Sequence, residues 1–217
     1  MKINHHLDEA TIFSYVAGSL SQGMALVVAS HISLCQSCQD RVFDLEAIGG
    51  ALVEQMVGAE MSDVSLEQAL ARLDDNTESL SSISQGIEAC QESDIPKPLR
   101  DYIGSLDNLQ WKRIGLGLYY FDVIKNAKGM CRLFKLEPGK VILPHGHRGS
   151  ELTLTLRGSY SDVVGCFTRG DIADIDDQVE HEPVVGGNED CICLVALDAP
   201  LRYTTLLGKL MQTVTGF

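Results

Sequence analysis

The chain has 217 residues, of which 45% are hydrophobic and 22% charged, and a formal net charge of −13. That balance supports a packed core, in one large or two small domains, and excludes a disordered chain. The longest apolar runs, 24–29 and 191–197, are too short to cross a bilayer, and the opening Met-Lys-Ile-Asn-His-His has no apolar signal region. A cytoplasmic protein without a membrane anchor is expected. Seven cysteines, an odd number without framework spacing, suit a reducing compartment. Residues 1–90 carry three basic against 13 acidic side chains, and residues 91–217 carry 14 against 17. So acidic a surface repels phosphate backbones, which argues against direct nucleic-acid binding, and it suits a basic protein partner. Solubility alone would also account for it.

The first half reads helical. Ile12, Phe13, Val16 and Leu20 recur near the 3.6-residue period over 8–20, and a second helix runs from Ser19 or Ser21 through Met24, Val27, Val28 and Ile32. A third is expected over 36–57, with Val42, Phe43, Leu45, Ile48, Leu52, Val53 and Met56 as its apolar positions. Ser65-Leu-Glu-Gln68 resembles a capping box that opens a fourth. Residues 76–86 are rich in Ser, Thr and Gln and read as the start of a linker. That linker extends to Pro96 and Pro98, which should bar a regular helix. Beyond it, 118–124, 130–136, 151–156, 160–164 and 191–197 are short runs rich in β-branched and aromatic residues, mostly punctuated by Gly or Pro. Leu152, Leu154 and Leu156 alternate with Thr153, Thr155 and Arg157, the period of a strand. Many short strands with tight turns point to a sandwich or barrel.

Two sets of metal-ligating residues stand at opposite ends of this plan. In the first, His31, Cys35 and Cys38 read H-x3-C-x2-C; on a helix His31 and Cys35 share a face, and Cys38 follows one turn on. Two thiolates and imidazole suit tetrahedral Zn²⁺. His6 can close the tetrahedron, with His5 as an alternative. Four protein ligands leave no open position, so a structural or redox-sensing role is expected rather than catalysis. The competing reading is a C-x-x-C redox pair, or two small buried residues. This arrangement resembles the zinc-binding anti-sigma domain, in which an upstream histidine, here His6, supplies the fourth ligand.

The second set is His145, His147 and Glu151, with His181 further on. His145 and His147 alternate on a strand and face the same side, Glu151 adds an oxygen, and His181 a third imidazole. The surrounding pattern, Gly139-x5-His145-x-His147-x3-Glu151-x6-Gly158, resembles the first cupin motif; the second motif, around Gly170 and His181, is only partly kept. Such a site takes Zn²⁺ or another divalent metal. Cys191 and Cys193 form a C-x-C on a strand, either two small core residues or an oxidation-sensitive pair.

Together the two halves resemble the ChrR family of anti-sigma factors, over nearly the whole chain. The resemblance implies an α+β two-domain protein: an N-terminal zinc-binding helical bundle over 1–80, a linker over 81–98 and a C-terminal all-β cupin barrel over 99–217. It implies His6, His31, Cys35 and Cys38 as ligands of one Zn²⁺, and His145, His147, Glu151 and His181 as ligands of a second metal. It further implies a cytoplasmic regulator, not an enzyme, that holds an extracytoplasmic-function sigma factor in a 1:1 complex until singlet oxygen or an organic peroxide, sensed through the cupin, releases it. The alternatives are a cupin metalloenzyme of the dioxygenase type with a helical regulatory domain, and a zinc-dependent redox chaperone or metal store.

Overall fold

A computed structural model describes residues 2–62, 64–74, 95–126, 129–199 and 201–203. Most of the expected linker therefore lies outside the described residues. The chain forms two compact units: Met1–Glu46 with Asp94–Phe217, and Ala47–Ser93.

In the first unit, α1 (Glu9–Val16) and α2 (Gln22–Ile32) are followed by the start of α3 (Gln36–Glu54). Ser21 caps α2, its side chain accepting from Met24 N at 3.4 Å. A short α5 (Lys97–Ile103) begins where two prolines were expected to bar a helix. Pro96 is its N-cap and Pro98 lies in its first turn, where a missing N–H costs no hydrogen bond, so the prolines start the helix instead.

Among the described residues eleven strands follow: β1 (Lys112–Gly115), β2 (Leu118–Asn126), β3 (Gly129–Leu136), β4 (His145–Gly146), β5 (Glu151–Arg157), β6 (Ser159–Ser161), β7 (Cys166–Thr168), β8 (Ile172–Ile175), β9 (Val184–Val185), β10 (Cys191–Leu197) and β11 (Arg202–Tyr203). They form a six-stranded antiparallel sheet in the order β1-β2-β3-β10-β5-β8, a three-stranded sheet β7-β6-β9, and the pair β11-β4. The expected strand over 160–164 is shorter, because Asp162–Gly165 turns the chain into β7.

The large sheet is buried on both faces. One face, with Leu133, Leu152, Leu154, Leu194 and Ala196, shares a core with Leu26, Val27 and Val28 of α2. The other, with Cys191, Cys193 and Val195, packs toward Tyr160, Phe167 and Val185 of the small sheet and forms the barrel interior. Burial on two sides explains the unbroken apolar run of β10. It also decides the alternation in β5: the leucines face the helices, and Glu151, Thr153 and Thr155 face inward. The first helices are thus a layer of the barrel's own core.

The second unit holds the end of α3 and α4 (Ser65–Asp74). Ile48, Leu52, Val53, Met56, Leu66 and Leu70 are exposed on them. Among the described residues no helix is long and apolar enough to cross a membrane.

At Gly23, α2 passes close against β3 and β10 of the sheet. A Cβ built there would stand 2.9 Å from Cys131 Cβ. Gly23→Ala should therefore lose stability, by about 1–3 kcal/mol of overpacking that outweighs alanine's better helix propensity. Urea unfolding of the two proteins measures it.

Candidate metal centres

The first set of donors assembles at the break between α2 and α3. As the helix limits near 32 and 36 in the sequence imply, α2 ends at Ile32 and Cys35 stands just before α3. The i to i+4 relation survives the break, because Cys35 N still donates to His31 O at 3.0 Å. Cys38 lies in the first turn of α3, and His6 comes in from the extended N-terminal segment. His6 Nδ1 is 3.2 Å from Cys35 Sγ and 3.8 Å from Cys38 Sγ, and His31 Nε2 is 3.3 Å from Cys38 Sγ. All four donor atoms lie within 4.8 Å of one another. These separations are close to the edges of a tetrahedron with Zn–N and Zn–S bonds, roughly 3.3–3.8 Å. His5, the alternative fourth ligand, is turned away: its Nε2 donates to Cys166 O at 3.1 Å, and its ring packs on Phe167 at 4.3 Å.

The electrostatics of this cluster call for a cation. His31 Nδ1 donates to Gly170 O at 3.0 Å, which leaves the Nε2 lone pair facing sulfur. Burial lowers the His31 pKa to about 4 and raises the Cys38 thiol. A buried thiol facing a neutral imidazole gives up its proton when a metal takes its place. Two thiolates with a divalent ion form a neutral group, which a buried position tolerates.

The second set lines the barrel interior. His145 lies on β4, His147 just after it, Glu151 at the start of β5, and His181 is bridged to His145 by paired backbone bonds of 3.1 and 3.0 Å. All four residues are buried. His181 Nε2 is 3.1 Å from His145 Nε2 and 3.2 Å from His147 Nε2. His145 Nδ1 donates to Leu143 O at 2.8 Å and His181 Nδ1 to Asp162 Oδ2 at 2.9 Å. Both rings therefore present bare Nε2 lone pairs to each other, a repulsive contact that a metal ion between them converts to coordination. Glu151 Oε2 lies 3.4 Å from His147 Nδ1, and its Oε1 accepts from Thr153 Oγ1 at 2.8 Å. Burial lowers the His145 pKa to about 4 and lowers that of His147. Both donor sets fit a metal by position and chemistry.

A cavity of about 260 Å³ opens beside the second set. Met130, Phe134, Leu136, Val195 and Leu197 supply apolar wall, and Cys191 and Cys193 stand next to each other on it, with sulfurs 3.6 Å apart. The hydrogen bond between these thiols and their burial push Cys193 well above the ordinary thiol range.

Several residues that hold the ligands had no signal in the sequence. The Asp162 side chain is fully buried beneath His181. Burial alone would raise its pKa, but His181 and the N–H groups of Val164 and Gly165 together lower it. Asp171 is likewise buried and is described below. Only their place in turns, after Ser161 and Gly170, could have hinted at them.

Fold and donor sets together define a cupin-like barrel with a helical layer upon it, each carrying a cluster of side chains able to hold a metal ion. A sequence-family model described as "ChrR Cupin-like domain" matches residues 100–200. The curated anti-sigma-E factor ChrR of Cereibacter sphaeroides is 38% identical over 213 residues, covering 98% of each chain. The crystal structure of Rhodobacter sphaeroides SigE in complex with the anti-sigma ChrR superposes with a TM-score of 0.75 at 35% identity, covering 91% of this chain and 100% of that one. This chain belongs to the ChrR family of anti-sigma factors.

Acid should unfold the metal-stripped protein in a defined window. The folded chain keeps His31 and His145 neutral down to about pH 4, whereas the unfolded chain protonates them near 6.5. The unfolded state therefore binds more protons between those values, and stability falls as pH drops from 6.5 to 4, by up to roughly 3 kcal/mol per ring. Urea midpoints taken across that range, with chelator present, measure the slope.

Proposed function

We propose that this chain binds an extracytoplasmic-function sigma factor in a 1:1 complex in the cytoplasm and withholds it from transcription until an oxidative signal reaches the cupin. The observation that carries this reading is the match to ChrR along almost the whole chain, including the ChrR seen in complex with SigE. Physical features support it independently. Phe13 and Phe43 in the first unit, and Ile48, Leu52 and Met56 in the second, expose large apolar side chains that a partner would cover. The acidic excess of residues 1–90 suits a partner whose DNA-binding surfaces are basic.

In this reading residues 1–80 hold the sigma-binding part, 81–98 the linker and 99–217 the sensor. His6, His31, Cys35 and Cys38 hold Zn²⁺, which supplies a closed four-ligand clip. The clip fixes the N-terminal segment and the α2–α3 corner, so that α3 leaves it in one direction. His145, His147, Glu151 and His181 hold Zn²⁺ or another divalent ion. The apolar cavity beside them admits a small organic molecule, which favours an organic peroxide or a singlet-oxygen product as the signal over a bulky or highly charged one.

Co-expression with an extracytoplasmic-function sigma factor, followed by gel filtration and metal analysis, tests the reading. A co-eluting 1:1 complex containing zinc is expected, and Cys35→Ala with Cys38→Ala should lose both the zinc and the complex. Organic hydroperoxide added to the purified complex should separate the two proteins. Failure to co-elute overturns the anti-sigma reading for the sigma factor tested, and a complex indifferent to oxidant removes the sensing half.

A further inference from the structure

The two donor sets are joined by one short piece of the barrel. At its near end, Asp162 Oδ2 accepts from His181 Nδ1 at 2.9 Å, while Asp162 Oδ1 accepts from Val164 N at 2.8 Å and Gly165 N at 3.2 Å. The turn closes with Asp162 N donating to Gly165 O at 2.9 Å. The carboxylate that orients a ligand of the barrel site thus also folds the β6–β7 turn. From there β7 runs to the far end. Cys166 O accepts a hydrogen bond from His5 Nε2 at 3.1 Å, and the His5 ring packs on Phe167. Gly165 is so close that a Cβ there would meet His5 Cε1 at 2.8 Å.

Past β7 the chain turns through Gly170 at φ +90°, a conformation that favours glycine, and its carbonyl accepts from His31 Nδ1. Next comes Asp171. Its Oδ1 accepts from Asn4 N at 2.7 Å and His5 N at 3.0 Å, and its Oδ2 from Thr168 N and Thr168 Oγ1, both at 2.8 Å. The residue is 0% exposed. Both histidines of the helical site are therefore set by this one turn, His31 through Gly170 and His6 through the backbone that Asp171 grips immediately before it. Every link is a hydrogen bond or ring contact at close range, and their acceptors sit within ten residues of chain, Asp162–Asp171.

We propose that the β6–β7 hairpin and the turn after it couple the two metal centres, with Asp162 and Asp171 as positioning residues at its two ends. When His181 is held by a metal, Asp162 and the hairpin are fixed. The hairpin in turn fixes His5, Asn4 and Gly170, and through them the two imidazoles of the helical site. When His181 is freed, the same chain loosens and the helical site holds its metal less tightly. Linkage makes the effect reciprocal: emptying either site weakens the other by the same factor. The coupling rests on the reading that both clusters bind metal, and it gives a signal in the barrel a physical route to the sigma-binding side.

Cobalt(II) separates the two sites spectroscopically: among the described residues only the helical donor set contains cysteines, so sulfur-to-cobalt charge-transfer bands report that set. The full chain is loaded with Co²⁺, and the decay of those bands after addition of excess chelator gives the release rate. Glu151→Gln and His147→Ala weaken the barrel site without touching the hairpin, and circular dichroism checks that each variant folds. Both should speed release from the helical site, by roughly fivefold or more if the coupling has the usual size. His5→Phe keeps a ring on Phe167 but deletes the bond to Cys166 O. In that background, with the links through Gly170 and Asp171 still in place, the barrel variants should change the rate less than they do in the wild type. Release that is identical in wild type and in both barrel variants overturns the coupling while leaving metal binding intact. An undiminished effect in the His5→Phe background overturns the route through the hairpin. Absence of thiolate bands in the wild type removes the metal reading and the coupling with it.

Discussion

A single buried carboxylate organises the first unit. Among the described residues Asp171 has no cationic partner, and what makes its burial tolerable is four hydrogen bonds from groups that would otherwise be unsatisfied. Two of those donors belong to the N-terminal segment and two to Thr168 at the end of β7. The consequence is that a stretch with little apolar content of its own is fixed against the barrel, and His6 is brought to the corner where the other three donors of the cluster wait. Asp174 Oδ2, accepting from Asp8 N at 3.0 Å, continues the same arrangement to the start of α1. The helical cluster is thus built as much by β8 and the turn before it as by the helices that carry its cysteines.

Burial on both sides of the large sheet makes this possible. A barrel with a solvated exterior would show polar outward positions, and its N-terminal helices could stand apart. Here the outward leucines of β5 lie under α2, and Gly23 lets the helix approach closely. The polar half of the same strand is turned inward, where Glu151 joins the imidazoles and Thr153 holds one of its oxygens. In each cluster hydrogen bonds to Nδ1 fix the tautomer of a histidine, leaving lone pairs aimed at each other or at sulfur. Such a cluster is under electrostatic tension until a cation arrives.

The two donor sets were legible because metal chemistry demands particular residue types at short spacings, and H-x3-C-x2-C and H-x-H-x3-E bring those types together in the chain. The strands over 130–136, 151–156 and 191–197 were legible as short runs set off by turn residues, and 151–156 also from its period of two. What the pattern could not convey was direction. The alternation of Leu and Thr in β5 says that two faces differ, not that the apolar one faces a helix. The prolines at 96 and 98 read as breakers because their effect depends on whether they sit inside a helix or in its first turn, which only the structure decides. Asp162 and Asp171 escaped notice because an aspartate in a turn is usually solvated, and their burial follows from contacts between residues more than 160 positions apart or from the depth of the turn that carries them.

The apolar side chains left open on the end of α3 and on α4 have a consequence for the behaviour of the chain in bulk. Ile48, Leu52, Val53 and Met56 lie within nine residues of one helix and its end, each at least 59% exposed. The acidic excess in the surrounding sequence provides like-charge repulsion that works against self-association, and dissolved salt screens it over about 10 Å at 0.1 M. Colloidal behaviour should then be inverted relative to an ordinary acidic protein. Raising ionic strength removes the repulsion while strengthening apolar contact, so the isolated chain clusters or precipitates in the buffers that usually keep proteins dispersed. Low salt, or whatever covers that helix, keeps it in solution.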